Sequence, residues 1–550
     1  MMTEQECWDK LPEALNKMGF PSLRESQKLC LKQIFKGNNV FCVLPTGGGK
    51  TALAAIPTIV LNYQTIIFSP LIALMKDQAD SLNRKGIRTL AVNSNQADIE
   101  NYNALSDWVE GTCQVLLVAP ERISHPQFIS AINQVKPDLV VIDEAHTMSQ
   151  WSMSFRPAYR KCGDFIQNIK PKQVLALTAT ATKEIIDDVK NILGLPDMVV
   201  ECHYEERSNL HLSSSFVEDD QLFTAILKKV REIKGSVIVY CSTVSLVTKI
   251  TEFLTMAGES VTFYHGQMLK QTDKDMNQDE FMSGRARIMV ATNAFGMGID
   301  KASIEGIIHA SPPSSLEAVV QEIGRAARDG RDAICHMYYS PSGIDTQEFF
   351  WNISNPSANS LKTLDAYLSK NKDKDNCVYK TIKEIEEDVQ DESIGAALTY
   401  MTSLGCVERE APSTKIATIV IKQLDKDNLS KKQADIIDCV KSNGERSSKG
   451  GNNNVYKVDL NLIAKLCLMT LPTLKKYLQQ SEKEGHILYF PPFKGKITKV
   501  TRNITTNELV DAALRRVKER EKLEGVREYM KCPDKDKHKF LNAYFVKSLR

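Results

Sequence analysis

The sequence predicts an α/β protein with two tandem parallel-sheet lobes, followed by a mostly helical C-terminal region. Length is the first observation behind this prediction, because 550 residues exceed what one hydrophobic core organises. The second is that short apolar segments alternate with helical stretches, which is typical of parallel sheets covered by helices. The third is that polar or glycine-rich turns directly follow several apolar segments, as at the ligand-binding edge of such sheets.

Short apolar segments predict the strands of both lobes. In the first lobe they are residues 40–44, 65–68, 115–118, 139–142 and 174–177. In the second lobe, residues 237–240 and 288–292 have the same pattern. Because the carboxyl ends of parallel strands meet at one edge of a sheet, we expect the turns after these strands to lie together.

A glycine-rich turn follows the first strand, where residues 45–51 read Pro-Thr-Gly-Gly-Gly-Lys-Thr before a helical pattern. Strand, glycine-rich turn and helix are the context of a P-loop, although Leu44 stands where the general pattern has its first glycine. Lys50 is expected to reach the β- and γ-phosphates of ATP, and Thr51 to bind Mg²⁺. The residues expected to cradle the phosphates are Thr46, Gly47, Gly48 and Gly49.

Two carboxylates, Asp143 and Glu144, directly follow the strand at 139–142. Asp143 is expected to hold Mg²⁺ and Glu144 to activate the attacking water. An isolated Asp-Glu pair after a strand is usually a solvated turn. Combined with a P-loop, it predicts an ATP-hydrolysing site.

The second lobe supplies arginines. Residues 321–330 predict a helix that places Arg325 and Arg328 at i and i+3 on one face, with Gln321 at its start. Such arginines stabilise charge on a transferring phosphoryl group, whereas the alternative is an exposed, salt-bridged helix. A glycine-rich turn ending at Asp300 comes before them.

Taken in order, these segments resemble the motifs of superfamily 2 helicases, specifically the RecQ branch, over about residues 10–345. The resemblance implies two RecA-like lobes. Through it, Phe20 is expected to stack on adenine, with Arg24 in the same motif and Gln27 at the adenine edge. It also implies that Ser69 contacts the DNA backbone, and that Asp300 belongs to the nucleotide site.

The resemblance further assigns Arg328 as the arginine finger and Arg325 as a second phosphate contact. Residues 178–180 are similar to the motif that couples hydrolysis to strand movement. One departure is Ala327, which stands where the family usually has glycine.

An aromatic and basic segment follows the Asp-Glu pair and resembles the RecQ aromatic-rich loop. The residues expected to contact single-stranded DNA are Gln150, Trp151, Phe155, Arg156 and Tyr159. Stacking on aromatic rings contributes about 1–3 kcal/mol per base and tolerates any sequence. The alternative is that Trp151 and Phe155 are core residues of the first lobe.

Charge is unevenly distributed. Residues 431–550 hold 26 Lys and Arg against 14 Asp and Glu, a net charge of +12. Because the whole chain carries +2, residues 1–430 carry −10. A basic C-terminal region favours contact with a polyanion, although a solvated helical surface would have the same composition.

The C-terminal pattern predicts a winged-helix-like module of helices and a hairpin. Its helices are expected at residues 430–442, 460–468 and 471–484, and its hairpin strands at 486–490 and 496–500. Near the hairpin tip, Phe490, Phe493 and Lys494 are candidate DNA contacts, and the two aromatic rings could equally pack on the module's own helices.

The predicted domains follow from these patterns. The lobes are expected at 1–205, which binds ATP, and at 206–345. Residues 346–425 are a helical linker or winged-helix-like module, and 426–505 form the DNA-binding module. Residues 506–550 are a basic helical tail whose end resembles the helical hairpin of the RecQ zinc module without its cysteines.

Cysteine spacing predicts no structural zinc, which leaves ATP and Mg²⁺ as the expected cofactors. None of the 13 cysteines forms a C-x-x-C pair, and those beyond residue 340 are Cys377, Cys406, Cys439, Cys467 and Cys532. The N-terminus lacks an apolar signal core, and no apolar run is long enough to span a membrane. We expect a monomer with reduced thiols, cytoplasmic in a prokaryote or virus and nuclear in a eukaryote.

The expected function is an ATP-dependent DNA helicase or translocase acting on single-stranded and forked DNA. The resemblance implies 3′→5′ movement and a role in repair or recombination. One alternative is an RNA helicase, which the aromatic-rich loop disfavours. Another is a non-unwinding, DNA-stimulated ATPase subunit that works with protein partners in a repair or defence assembly.

Overall fold

The computed structural model describes residues 2–44, 48–70, 72–149, 157–202, 207–268, 270–296, 301, 303–410, 416–422, 429–446, 454–490 and 495–547. The chain divides into two compact units. Unit 1 comprises Met1–Trp351 with Lys518–Arg550, and unit 2 comprises Asn352–Val517. Within the described residues, no helix has the length and apolar character needed to cross a lipid bilayer.

The first lobe is a parallel sheet of seven strands in the order β3-β4-β2-β5-β6-β1-β7. Its strands are β1 Val40–Val43, β2 Thr65–Phe68, β3 Thr89–Val92, β4 Val115–Val118, β5 Leu139–Ile142, β6 Gln173–Thr178 and β7 Val199–Cys202. Its helices are α1 Glu4–Met18, α2 Glu25–Phe35, α3 Lys50–Val60, α4 Ile72–Arg84, α5 Asp98–Val109, α6 Pro126–Gln134, α7 Pro157–Ile169 and α8 Lys183–Leu193.

The sequence predicted the five central strands of this sheet and missed both edges. Strands β1, β2, β4, β5 and β6 are buried throughout, so their apolar runs are continuous. The edge strands β3 and β7 are partly exposed, and their mixed composition gave no such signal. Helices cover both sheet faces and form two separate apolar cores.

The second lobe is a parallel sheet of six strands in the order β10-β11-β9-β12-β13-β8. Its strands are β8 Leu210–Phe216, β9 Ser236–Tyr240, β10 Val261–Tyr264, β11 Ile288–Ala291, β12 Ile304–His309 and β13 Ala333–Tyr339. Its helices are α9 Leu222–Glu232, α10 Val244–Met256, α11 Gln271–Met282, α12 Leu316–Ile323 and α13 Pro341–Ser354. The predicted architecture of two parallel-sheet RecA-like lobes is therefore confirmed.

Unit 2 consists of helices and two small antiparallel sheets. Its helices are α14 Ala358–Asn371, α15 Ile382–Val389, α16 Ile394–Ser403, α17 Lys431–Asn443, α18 Leu460–Leu466 and α19 Leu471–Lys483. Its strands are β14 Cys377–Val378, β15 Val407–Glu410, β16 Ile416–Ile421, β17 Glu445–Arg446, β18 Val455–Asp459, β19 Ile487–Phe490 and β20 Ile497–Val500.

Strand pairing divides unit 2 into two nested modules. The outer module contains α14, α15 and α16 with the sheet β14-β20-β15, packed around one apolar core. The inserted module contains α17, α18 and α19 with the sheet β17-β18-β16-β19, packed around another. The chain leaves the outer module after β15 and returns with β20. This division differs from the predicted boundary at residue 425.

The predicted hairpin between residues 486–490 and 496–500 is wrong. Both segments are strands, but β19 pairs with β16, whereas β20 pairs with β14 and β15. In the two antiparallel pairs Glu410 faces Ile497 and Thr418 faces Phe490, so each of the two predicted strands pairs with a segment far from it in sequence. The predicted tip residues Phe493 and Lys494 lie outside the described residues.

The chain ends with α20 Thr506–Lys531 and α21 Lys537–Lys547. From Lys518 onward this region belongs to unit 1, where Val526, Tyr529, Leu541 and Phe545 enter the core of the second lobe. Lys537 is fully buried and its Nζ donates to Tyr529 O and Ser214 Oγ, both at 2.7 Å. Residues 518–547 are therefore part of the second lobe rather than a separate tail.

Candidate ATP site and nucleic-acid surface

The P-loop connects β1 to α3 at the carboxyl edge of the first sheet. Gly49 precedes α3 with φ of 78°, a left-handed conformation that favours glycine. Lys50 begins the helix, and Thr51 is exposed on its first turn. Thr46 and Gly47 lie outside the described residues. The described half of the turn therefore has the geometry that lets a phosphate approach the start of α3.

Gln27 ties the P-loop to the start of α2. Its Oε1 accepts from the Arg24 backbone N–H at 2.9 Å, and its Nε2 donates to Gly48 O at 3.1 Å. A Cβ added at Gly49 would lie 2.2 Å from the same Nε2. The side-chain amide therefore links the start of α2 to the P-loop, a structural role in addition to the predicted contact with adenine.

Phe20 lies just before this motif and is half-buried against the core on that sheet face. The Lys85 ammonium is 4.8 Å from the centre of its ring. Phe20 lies before α2, and Gln27 lies in the first turn of that helix. Stacking of Phe20 on the base remains a prediction.

Asp143 and Glu144 follow β5 and lie beside Lys50. The Lys50 Nζ is 3.4 Å from Glu144 Oε1. Burial, and then the charge of Glu144, raise the pKa of Asp143 to about 6. Burial would also raise the pKa of Glu144, but nearby positive charges, Lys50 first among them, outweigh it and leave that pKa below its ordinary value. Glu144 is therefore the carboxylate that stays ionised.

The backbone at Glu144 is strained, with φ of 50° at a residue other than glycine. Such conformations cost about 1–3 kcal/mol and persist where the surrounding structure enforces them. Here a turn of 3-10 helix follows at Ala145–Met148, and the Tyr159 hydroxyl donates to Asp143 O at 3.2 Å. In this conformation the Glu144 side chain lies beside Lys50.

His146 joins this acidic pair to the turn after β6. Its Nδ1 is 2.8 Å from Thr178 Oγ1, and the Thr178 hydroxyl donates to Thr180 O at 3.0 Å. Because that hydroxyl proton is already used, Nδ1 must carry the donated proton. Burial lowers the pKa of His146, so the ring is neutral at neutral pH. Nδ1 also lies 3.3 Å from Glu144 Oε2.

The residues at this edge fit a nucleotide with a divalent cation. Asp143 is buried, Glu144 is half-buried beside Lys50, and burial together with the charge of Glu144 raises the pKa of Asp143. The buried Glu144 Oε2 has no hydrogen-bond partner among the described residues. Hard carboxylate and hydroxyl oxygens are the ligands Mg²⁺ prefers, so Asp143 and the exposed Thr51 would hold it.

The arginines of the second lobe follow α12 and are not on it. The prediction that Arg325 and Arg328 share a helix face is wrong, because α12 ends at Ile323 and a turn begins at Gly324. Arg325 is buried and donates to Gly296 O, and its charge lowers the pKa of Glu144 in the first lobe. Arg328 is half-buried in the turn.

Gln321 lies half-buried in α12, one turn before Arg325. Asp300, expected in the same nucleotide site, lies outside the described residues. Of the second-lobe residues predicted for the site, the structure thus brings Arg325 within electrostatic reach of Glu144.

Arg207 holds this turn and was missed by sequence reasoning. Its NH1 donates to Gly324 O at 3.1 Å, and its NH2 donates to Ala326 O at 2.7 Å and to Ala327 O at 2.6 Å. One guanidinium therefore binds three backbone carbonyls of the segment that carries Arg325 and Arg328. The only signal in the sequence is a charged residue just before a strand, which is too common to single out.

Ala327 occupies a backbone conformation that favours glycine, the residue expected here from the family resemblance. Its φ is 47°, in the left-handed region, and its side chain is buried. An L-residue in that conformation costs about 1–2 kcal/mol. The backbone N–H donates to Ile304 O at 2.8 Å, which together with Arg207 keeps the turn in place.

Two predicted DNA contacts are corrected by burial. Ser69 and Tyr159 have no exposed surface, and the Tyr159 hydroxyl is used inside the protein on Asp143 O. A side chain that does not reach the surface cannot touch DNA, so both predictions of direct contact are wrong for this conformation. Tyr159 instead positions the turn that carries the acidic pair.

The remaining predicted DNA contacts stay predictions. Gln150, Trp151, Phe155 and Arg156 lie outside the described residues, as do Phe493 and Lys494. Phe490 is the last residue of β19, where its backbone pairs with Thr418. The described chain next to the aromatic-rich loop is anchored by Ser149, whose Oγ donates to Asp188 Oδ2 at 2.7 Å.

The described residues outside the ATP site show no cluster of metal ligands. Across the described ranges, no group of three or more His, Cys, Asp or Glu side chains is arranged to hold a metal ion. All 13 cysteines are free thiols. The expected absence of structural zinc stays a prediction.

These features define a two-lobed P-loop nucleoside triphosphatase, and family comparisons agree with that class. The DEAD/DEAH box helicase family matches residues 24–189, and the helicase conserved C-terminal domain matches residues 220–330. The matches coincide with the first and second lobes.

Sequence similarity to characterised helicases identifies the family within this class of nucleoside triphosphatases. The chain is 36% identical over 334 residues to an ATP-dependent DNA helicase RecQ of Bacillus subtilis, covering 60% of this chain and 56% of that protein. It is 32% identical over 369 residues to a probable ATP-dependent DNA helicase RecS of the same organism, covering 66% of this chain and 74% of that protein. The chain therefore belongs to the RecQ-like superfamily 2 helicases.

The chain spans only part of most of these relatives. It covers 37% of the ATP-dependent DNA helicase Q-like 5 of Arabidopsis thaliana, to which it is 36% identical. Solved structures agree on the fold, including S. cerevisiae Dbp5 bound to RNA and ADP BeF3, at TM-score 0.50 and 17% identity over 64% of this chain and 94% of that one. MrfA bound to DNA also gives TM-score 0.50 at 17% identity, over 73% of this chain and 61% of that one.

Proposed function

We propose that this protein is an ATP-dependent DNA helicase that moves along single-stranded DNA and separates duplexes. The observation that carries the proposal is the contact between Lys50 and Glu144, with Asp143 and Arg325 close by, at the facing edges of two RecA-like lobes. Family membership supports DNA as the track, since the RecQ and RecS relatives are named DNA helicases.

Hydrolysis follows from the charges at this edge. Lys50 and the start of α3 attract the phosphates of ATP. Glu144 is ionised and held at 3.4 Å from Lys50, so it can accept a proton from the attacking water. Mg²⁺, held by Asp143 and Thr51, would neutralise charge on the β- and γ-phosphates. Arg325 and Arg328 stabilise the charge that develops during transfer.

Coupling to DNA is supported by a short chain of contacts. The neutral ring of His146 lies between the acidic pair and the turn after β6, with Nδ1 3.3 Å from Glu144 Oε2 and 2.8 Å from Thr178 Oγ1. The same 3-10 turn continues into Ser149 and from there into the segment of Trp151, Phe155 and Arg156. A change at Glu144 on hydrolysis is therefore close in sequence to the residues we propose to hold the strand.

The ATP site is tested by Lys50→Ala and Glu144→Gln, with Lys36→Ala as a control at an exposed lysine of the same lobe. We expect both site variants to lose DNA-stimulated ATPase activity by at least about 100-fold, and to retain single-stranded DNA binding. The Lys36 variant should behave as the unmodified protein. Unwinding of a tailed duplex by either site variant would refute the assignment.

The DNA track is tested by comparing ATPase stimulation by DNA and RNA oligomers of matched sequence. We expect DNA to stimulate and RNA to stimulate weakly. Unwinding of duplexes with a 3′ or a 5′ overhang then tests the proposed 3′→5′ direction. Strong DNA-stimulated ATPase activity without strand separation by the isolated chain would favour a non-unwinding subunit of a larger assembly.

The cellular setting follows from the substrate. Single-stranded and forked DNA are the proposed partners, which places the protein with the genome, in the cytoplasm of a prokaryote or the nucleus of a eukaryote. A role in repair or recombination and a monomeric state are proposed on the same grounds. Sedimentation of the purified chain with and without forked DNA measures the oligomeric state.

A further inference from the structure

The C-terminal part of α20 and the helix α21 are anchored in the second lobe. Leu541 on α21 packs in the same apolar core as Leu316, the first residue of α12. α20 passes close to α12, since a Cβ added to Gly525 would lie 3.4 Å from Leu316 Cδ1. Arg527 on α20 donates from NH2 to Glu348 Oε2 at 2.6 Å, which ties this helix to α13 as well. Both C-terminal helices are therefore fixed to helices of the second lobe.

Tyr544 on α21 supports the first turn of α12. Its hydroxyl donates to Glu317 Oε1 at 3.0 Å. Burial, and then the charge of Glu317, raise the pKa of Tyr544, so the hydroxyl keeps its proton and remains the donor. Glu317 Oε2 is buried and has no hydrogen-bond partner within the described part of the protein. The position of this carboxylate therefore depends on the tyrosine.

Glu317 connects the C-terminal helices to both sides of the ATP site. Its helix, α12, leads directly into the turn that carries Arg325 and Arg328. Burial lowers the pKa of His146 in the first lobe, and the charges of Glu144 and Glu317 oppose that shift. Displacement of the start of α12 would therefore move the arginine turn and change the electrostatic field at His146.

The C-terminal helices also contact the first lobe. Lys518 Nζ on α20 lies 3.5 Å from Glu184 Oε1. Glu184 is in the first turn of α8, soon after the turn in which Thr178 contacts His146. The two side chains are 44% and 46% exposed, so this ion pair can break and re-form at little cost in free energy. A contact of this kind can align two lobes and still allow them to move.

We propose that residues 518–547 form an inter-lobe brace for ATP hydrolysis, in which Lys518 and Tyr544 are positioning residues. The brace joins a helix of each lobe that borders the ATP site, α8 through Glu184 and α12 through Glu317. The inference rests on the proposed function, because the reaction that the brace supports is the hydrolysis of ATP. Both residues act through the arginine turn and the turn after β6 rather than on the nucleotide.

The contact between the lobes is tested by cross-linking the full chain with a carbodiimide, which joins an amine directly to a carboxylate beside it. We expect mass spectrometry to find Lys518 joined to Glu184 in the unmodified protein. Lys518→Arg is the control, because it keeps the charge and has no amine to couple. Absence of the Lys518–Glu184 cross-link in the unmodified protein would overturn the proposal.

Charge reversal tests the positioning role of this ion pair. Lys518→Glu is expected to lower the kcat of DNA-stimulated ATP hydrolysis by about three-fold or more, with little change in KM for ATP. Exchange of the two charges, Lys518→Glu with Glu184→Lys, should restore kcat to within about two-fold. The control is the same exchange at Arg88 and Asp107, an ion pair inside the first lobe, which should leave kcat unchanged.

Tyr544→Phe tests the second contact of the brace. The variant loses only the hydroxyl that holds Glu317, and we expect kcat to fall by about three-fold or more at an unchanged KM. Tyr338→Phe is the matched control, because the Tyr338 hydroxyl donates to Ala225 O at 3.0 Å on the opposite face of the same sheet from α12. The control should lose stability without a change in kcat.

The kinetic results also separate the brace from the proposed function. In a protein with DNA-stimulated ATPase activity, an unchanged kcat for Lys518→Glu would overturn the brace. A charge exchange that restores nothing, or an equal fall in kcat for the control variants, would overturn it as well. If the unmodified protein lacks DNA-stimulated ATPase activity, the proposed function and the positioning role fail together.

Discussion

The side-chain amide of Gln27 occupies the space that a Cβ at Gly49 would need. The distance from that position to Gln27 Nε2 would be 2.2 Å, well inside van der Waals contact. A side chain at residue 49 would therefore have to displace the Gln27 amide from Gly48 O and adopt a left-handed backbone conformation. Gln27 therefore couples the conformation of the P-loop to the segment that contains Phe20 and Arg24.

Gly49→Ala is expected to lower ATP affinity by about ten-fold or more, because the new methyl group displaces Gln27 and forces φ of 78° on alanine. Gly19→Ala is the matched control, since Gly19 has φ of 71° with nothing within 4 Å of the added Cβ. Both variants should lose about 1 kcal/mol of unfolding free energy, and only the first should lose binding of a fluorescent ATP analogue. Equal ATP affinity in both variants would contradict this role for the Gln27 contact.

Arg207→Gln should lower the kcat of DNA-stimulated ATP hydrolysis by about ten-fold or more with little change in ATP affinity. The reason is that Arg207 positions the turn that carries Arg325 and Arg328 without touching the nucleotide. Steady-state kinetics that separate kcat from KM measure the effect.

Arg287→Gln is the control for that experiment. Arg287 also donates to three carbonyls of the second lobe, those of Val230, Ile233 and Gly235, but away from the arginine turn. Both variants should lose stability by about 1–3 kcal/mol, and only the Arg207 variant should lose kcat. A similar fall in kcat for both would show that Arg207 acts through stability alone.

Ala327→Gly should leave the unfolding free energy unchanged or raise it by up to about 1 kcal/mol. Relief of the left-handed strain at φ of 47° offsets the extra backbone entropy of glycine in the unfolded chain. Its neighbour Ala326 is fully buried and is not among the residues with positive φ. Ala326→Gly should therefore destabilise by about 1 kcal/mol. Urea denaturation of both variants measures these changes in unfolding free energy. A larger loss of unfolding free energy for Ala327→Gly than for Ala326→Gly would contradict the strain argument.

His336 should make the second lobe sensitive to acid. Its ring nitrogens lie 2.7 Å from Ser213 Oγ and 2.9 Å from Ser215 Oγ, and burial lowers its pKa to about 4. Between the ordinary pKa of about 6.5 and about 4, the unfolded chain binds a proton that the folded chain does not. The stabilisation is therefore complete above pH 6.5 and is lost as pH falls towards 4.

His336→Gln should remove roughly 2 kcal/mol of the stability lost between pH 7.5 and about 5, because glutamine keeps hydrogen-bonding capacity and does not titrate. Urea denaturation at pH 7.5, about 6 and about 5 measures it. His211→Gln is the control at an exposed histidine in the same sheet. An unchanged pH dependence in the His336 variant would refute the assignment.

Sequence reasoning located the ATP site because its determinants are local. A buried strand followed by glycines and Lys50, or by Asp143 and Glu144, specifies its own geometry within a few residues. The arginine turn was placed less well, since the end of α12 at Ile323 depends on how Arg207 and Ile304 hold the chain that follows. Contacts between distant segments leave no periodic signal.

The strands of unit 2 show the same limit. Residues 487–490 and 497–500 were recognised as strands from composition, yet their partners lie some 70 to 90 residues earlier, in β16 and β15. A short polar connection between two strands usually indicates a hairpin. Here β19 completes the sheet of the inserted module and β20 completes the sheet of the outer module. Their pairing therefore depends on how the two modules are nested.

The pairing of Glu410 with Ile497 has a consequence for how such a chain can be built or shortened. These residues face each other across β15 and β20, so the two ends of the excursion that contains the inserted module meet at hairpin distance. A turn of two residues could close that gap, leaving the outer module with its own complete sheet and core. The inserted module can therefore be removed or replaced at this single connection without changes to the sheet and core of the outer module.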